Sequence, residues 1–271
     1  MPDLRKPVVA GQFYPSGLKE LNKQIESFID KKVTASDYLA CMLPHAGYIY
    51  SGQVAAKTVS RVIIKDKIIL IGPNHTGNGV PFSVQTEGIW QTPLGEIKID
   101  TDLAEGLLAR SKYLKKDSDA HIYEHSLEVE LPFLQYFNKN FQIVPLCILS
   151  DDTLVLKEIG ESIAATVKEL HLESQVLVVA SSDMTHYEPE AMANKKDKEA
   201  IAAILNLDAE KLTEKVQGLN ITMCGYAPVL VMLAYVKALG AKKGELVSYQ
   251  TSGDVTGDKE SVVGYAGITI S

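Results

Sequence analysis

Six short apolar runs, separated by longer stretches of helical spacing, constrain this chain more than any other feature. The runs cover 38–43, 67–72, 142–149, 175–180, 246–251 and 262–270, and they are rich in Val, Ile and Leu with little polar alternation. A strand with one wet face alternates apolar and polar residues, whereas a strand covered on both faces is apolar throughout. Between the runs, Leu18, Leu21, Ile25, Phe28 and Ile29 recur at three- and four-residue spacing, as do Ile159, Ile163, Val167 and Leu170. That is the stripe of an amphipathic helix. Similar patterns predict helices over 52–61, 101–111, 124–137, 189–205, 209–218 and 225–240. Strands alternating with helices predict an α/β fold with a mostly parallel sheet and helices on both faces. The stretch 77–98, which holds Gly77, Gly79, Pro81, Gly88, Pro93 and Gly95, reads as a loop-rich excursion with a small antiparallel element.

No linker, repeat or low-complexity segment interrupts the pattern, so residues 1–271 are read as a single domain. With 46% hydrophobic and 23% charged residues, the chain has the composition of a folded protein rather than a disordered one. The formal charge of −7 argues against nucleic acid as a partner, because phosphate rewards a basic surface. No apolar run approaches the ~20 residues that a membrane helix needs. The N-terminus has no apolar signal core. Three cysteines make no disulfide framework and suit a reducing compartment. A cytoplasmic protein with no membrane association is the expectation.

Three of the presumed strands run into polar residues. Pro44-His45-Ala46-Gly47-Tyr48 follows the first, Gly72-Pro73-Asn74-His75 closes the second, and Ser181-Ser182-Asp183-Met184-Thr185-His186 follows the fourth. In a parallel sheet the carboxyl ends of the strands share one edge, and ligands bind in the crevice there. His45, His75, Asp183 and His186 are therefore expected to meet. A single histidine after a strand is ordinary loop chemistry; the joint occurrence, flanked by Gly and Pro, points to a shared site.

Two further groups bear on that site. In Glu124-His125-Ser126-Leu127-Glu128-Val129-Glu130-Leu131-Pro132, a helix would place His125 and Glu128 on one face. Either they form a surface ion pair of little worth, or Glu128 orients His125 toward the site. Pro132 predicts a kink or a fresh helix start. Cys224 precedes an apolar helix, whose N-terminus favours a thiolate that binds metal or attacks an electrophile. Cys41 and Cys147 lie inside strands and read as inert core residues. Other chemistries lose ground: His121 and His125 lack the H-E-x-x-H pattern, and neither a P-loop, a GxGxxG turn nor a GxSxG elbow is present.

Together these motifs resemble the Memo family, whose prokaryotic members are also called AmmeMemoRadiSam system protein B. The resemblance is carried, in order, by Gly11-Gln12-Phe13-Tyr14-Pro15, the run from Pro44 to Gly52, Gly72-Pro73-Asn74-His75, Trp90 to Gly95, Glu124 to Leu134, Ser181 to His186 and Cys224-Gly225. It spans essentially the whole chain. It implies a fold like the catalytic subunit of class III extradiol ring-cleavage dioxygenases. It also implies His45, His75 and Cys224 as metal ligands, with Asp183 and His186 lining the same pocket. Those dioxygenases bind non-haem Fe(II) through two histidines and a carboxylate. A cysteine in the third place is softer and suits copper or zinc as well, so ring cleavage does not transfer with the fold.

The leading expectation is a non-haem, metal-dependent oxidoreductase, with Fe(II) first and Cu or Zn as alternatives. His186 would be the acid/base, Asp183 would orient it or a bound water, and Tyr48 and His125 would contact substrate. A redox-inactive metal would instead suggest a hydrolase. The third reading is a non-catalytic module that holds a peptide or partner in the same cleft. The family's prokaryotic neighbours imply a radical-SAM enzyme and a small companion protein as partners.

Overall fold

The structure is a computed structural model, and it describes residues 3–271. Its centre is four parallel strands in the spatial order Ala40–Leu43, Val176–Ser181, Lys67–Pro73 and Gln142–Ile148. These are four of the six apolar runs, and the alternation of side chains explains their composition. Met42, Ile69, Ile71, Val144, Leu146, Val178 and Ala180 join one core. Their chain neighbours Cys41, Leu43, Ile68, Leu70, Ile143, Cys147, Leu177 and Val179 join another on the opposite face. Each face is roofed by helices: Thr101–Arg110, Thr153–Glu169, Glu190–Leu205 and Tyr226–Ala238 on the first, Leu18–Phe28, Tyr48–Val59 and Leu131–Phe137 on the second. Continuous apolar strands are what two-sided burial requires.

The flanks are antiparallel. Val262–Ile270 runs against Ala40–Leu43 and pairs with both Gly244–Thr251 and His186–Glu188. At the other side Phe82–Val84 runs against Gln142–Ile148. The 77–98 excursion contains the expected antiparallel element, a hairpin of Ile89–Thr92 and Gly95–Lys98 that also takes up Leu4–Arg5 as a parallel third strand.

One expected helix is not formed as predicted. Of 124–137, only Leu131–Phe137 is helical, with Pro132 in its first turn. Pro132 has no N–H to bond back to Glu128, so the helix begins afresh there. The preceding residues are irregular because Glu124, Glu128 and Glu130 are fully buried and bonded to other parts of the chain. Among the described residues no helix is long and apolar enough to cross a membrane.

A candidate metal centre at the carboxyl edge of the sheet

Strand register carries the site. Leu43 pairs with Ser181, and Ile71 with Ala180, so the strands that lead into His45, Asp183 and His75 end side by side. The ring centroids of His45 and His75 lie 5.2 Å apart, and His125 lies 5.6 Å from His45 and 4.7 Å from His75. One ligand nitrogen from each of the three falls within 4.8 Å of the others. Cys224 Sγ lies 3.3 Å from His45 Nε2. The thiol reaches this position because Gly225 packs against Ser181 and Ser182, where a Cβ would collide with backbone. Its N–H is bonded to Ser182 Oγ at 3.0 Å.

The protons on these rings follow from their neighbours. His75 Nδ1 lies 2.9 Å from Glu124 Oε1, and its backbone N–H donates to Glu124 Oε2 at 2.5 Å. A carboxylate only accepts, so Nδ1 carries the proton and Nε2 presents its lone pair. His186 Nδ1 faces two carbonyls, Met184 O at 2.7 Å and Thr222 O at 2.9 Å, and the same reasoning leaves its Nε2 free. His45 Nδ1 lies 2.7 Å from Ser181 Oγ.

The acids are tuned in opposite directions. Burial opposes ionisation of Glu124, but the bond from His75, the Ser126 N–H and the neighbouring His125 outweigh it and hold the carboxyl down at about 2. Burial pushes Asp183 up to about 6, against the pull of His186 and of the His45 and Ala46 N–H groups. Burial, and then Asp183, push the Cys224 thiol up. Burial, with His75, His125 and His186 nearby, keeps His45 neutral by lowering its pKa.

Two expected members are placed elsewhere. Glu128 does not orient His125: its carboxylate accepts from Arg5 Nη1 at 2.8 Å, from the Val8 and Val9 N–H groups and from Tyr14 Oη at 2.6 Å. The acid beside His125 is Glu124, at 3.5 Å. Nor does Tyr48 face a substrate: its ring is buried and stacked on Phe133, and its hydroxyl donates to Val129 O at 2.8 Å. Glu124, Ser181 and Glu130 were missed as site residues. The available signal was three acids within an otherwise apolar stretch, which marks them as buried and therefore partnered.

An α/β domain with its polar cluster where parallel strands end belongs to the broad class of α/β proteins that bind ligands at that edge. The sequence matches the Memo-like protein family over residues 5–269, and the chain belongs to that family. It is 44% identical to a MEMO1 family protein of Methanosarcina barkeri, covering 98% of this chain and 100% of that one. It is also 44% identical to a MEMO1 family protein of Aquifex aeolicus, covering 98% of each. Among solved structures, an uncharacterized protein from Escherichia coli K12 shares the fold at TM-score 0.55 and 16% identity, over 86% of this chain and 99% of that one.

Proposed function

We propose that this Memo-family chain is a non-haem, metal-dependent oxidoreductase with a metal held by His45, His75 and Cys224. One observation carries the reading. His75 has its Nδ1 proton bound to a buried acid, and its ring stands 5.2 Å from that of His45, a second buried histidine whose Nε2 lies 3.3 Å from the Cys224 thiol. Metal-binding histidines have this arrangement, with the outer N–H fixed by a carboxylate or other acceptor. Two imidazoles and a sulfur suit Fe(II), and copper or zinc as well. Bound iron or copper would supply one-electron chemistry and O₂ activation.

The chain's own groups have separate tasks. Glu124 orients His75 and lies against His125. Asp183, half-way through its titration near pH 6, holds or releases a proton beside the ligands. His186 Nε2 is free to accept one. A small molecule or peptide is the proposed occupant of the cleft, and a radical-SAM enzyme with its companion protein are the proposed partners.

His125 supports a second reading. Its ligand nitrogen, not the Cys224 sulfur, is the one grouped within 4.8 Å of those of His45 and His75; as a fourth ligand with Cys224 it would close a tetrahedral site, and closed sites are structural. The cleft would then belong to a binding module. Metal content and affinity of anaerobically purified protein, with Cys224→Ser, His45→Ala and His125→Ala beside it, decide between the two. The oxidoreductase reading expects stoichiometric iron or copper, lost in the first two variants and retained in the third. Loss in all three favours the closed site, and failure to bind Fe(II), Cu or Zn overturns the metal reading.

A further inference from the structure

Behind His45 lies a set of contacts that the metal reading does not use. Ser181 Oγ has three partners at hydrogen-bond distance: His45 Nδ1 at 2.7 Å, Ser126 O at 2.8 Å and Glu130 Oε1 at 2.8 Å. Three such contacts need three protons, and a serine hydroxyl has one to give and two lone pairs to receive. Ser126 O is a carbonyl and can only accept, so the Ser181 proton goes there. The other two contacts must then be donated to Ser181: one by the His45 Nδ1–H, the other by a proton on Glu130 Oε1. The remaining oxygen, Glu130 Oε2, is buried and has no partner among the described residues. A bare carbonyl oxygen is tolerable in that position; half of an ionised carboxylate is far costlier.

We propose that Glu130 is a neutral carboxylic acid in the folded chain and acts through Ser181 as a positioning residue. It holds His45 as the Nδ1–H tautomer, with Nε2 turned to Cys224. The surroundings agree. Glu130 is fully buried, no cation among the described residues is bonded to it, and burial, with the nearby Asp183 charge, outweighs the Ser181 contact and raises its pKa well above the usual range. An ionised Glu130 would take the Ser181 proton and leave Ser126 O facing a lone pair at 2.8 Å. The inference rests on the metal reading only for its consequence, that the donor nitrogen of His45 is set before any ligand arrives.

Two spectroscopic measurements on the metal-free 271-residue chain test it without activity. Long-range proton–nitrogen NMR on ¹⁵N-histidine protein reports which ring nitrogen carries the proton, and His45→Ala assigns the signal. Wild type is expected to show the Nδ1–H form. Glu130→Gln should keep it, because the carboxamide N–H donates to Ser181 as the acid does. Ser181→Ala should mix the tautomers and weaken Fe(II) or Zn binding about 10- to 100-fold. Infrared difference spectra of wild type against Glu130→Gln should lose a protonated-carboxyl band. Loss of ionised-carboxylate bands instead, an Nε2–H form in wild type, or an unchanged tautomer in Ser181→Ala would overturn the proposal. A fixed Nδ1–H tautomer in protein that binds no metal would overturn the metal reading and leave this one standing.

Discussion

Removing the charge of Glu128 should destabilise the protein more than any exposed substitution, and the structure sets the size. The Arg5–Glu128 pair is buried, with side-chain exposures of 7% and 0%. The carboxylate also accepts from Val8 N–H at 2.8 Å, Val9 N–H at 3.0 Å and Tyr14 Oη at 2.6 Å. All its partners are donors. In Glu128→Gln, either orientation of the amide sets an NH₂ against two of them, and Arg5 keeps a buried charge without its counter-ion. Breaking one partner of such a pair costs about 3–5 kcal/mol, and two lost charge-assisted bonds at roughly 1.5–3 kcal/mol each agree. Urea unfolding should show the midpoint fall with an unchanged slope. Arg5→Met should cost a similar amount, and the double variant much less than the sum, since each single change strands the other residue. The site should respond too. Tyr14 lies beside Phe13, whose ring meets His125 edge-on at 5.0 Å, so release of this segment should loosen His125. Stability of Glu128→Gln within about 0.5 kcal/mol of wild type, or strict additivity in the double variant, would refute the reasoning.

Three other outcomes are expected. Glu124→Gln should weaken Fe(II) or Zn binding about 10- to 100-fold by isothermal titration, as the His75 N–H loses an ionised acceptor; equal affinity would remove Glu124 from the site. His121 is fully buried, and burial, followed by Arg5, lowers its pKa to about 3. An unfolded histidine takes up a proton below about pH 6.5, and the folded one only near 3. Its stability contribution is therefore complete above about pH 6.5 and declines by roughly 4 kcal/mol as the pH falls toward 3. Acid unfolding of His121→Gln should show a shallower fall, and an identical slope would contradict this. Gly225→Ala should cost about 1–3 kcal/mol through overpacking against Ser181 and Ser182. It should also slow or abolish metal uptake through Cys224, whereas normal stability and uptake would show that the close approach relaxes.

The strands and most helices follow from sequence because their cause is local. A strand buried on both faces must be apolar at every position, and a helix packed on one side must repeat its apolar residues every three or four. Lys67–Pro73 and Thr153–Glu169 satisfy those rules within their own residues. The meeting of His45, His75 and Asp183 follows as well, since parallel strands must end on one edge whatever the loops do. Tertiary structure decided the rest. The helical pattern over 124–130 gives way because its acids bond at long range: Glu128 to Arg5, 123 residues away, and Glu130 to Ser181, 51 residues away. Several buried bonds to one carboxylate outweigh a propensity of a few tenths of a kcal/mol per residue. Tyr48 turned inward because Val129 O and the Phe133 ring were there to receive it. The protons on His45, His75 and His186 likewise depend on which acceptor stands behind each ring, and only the folded chain puts one there.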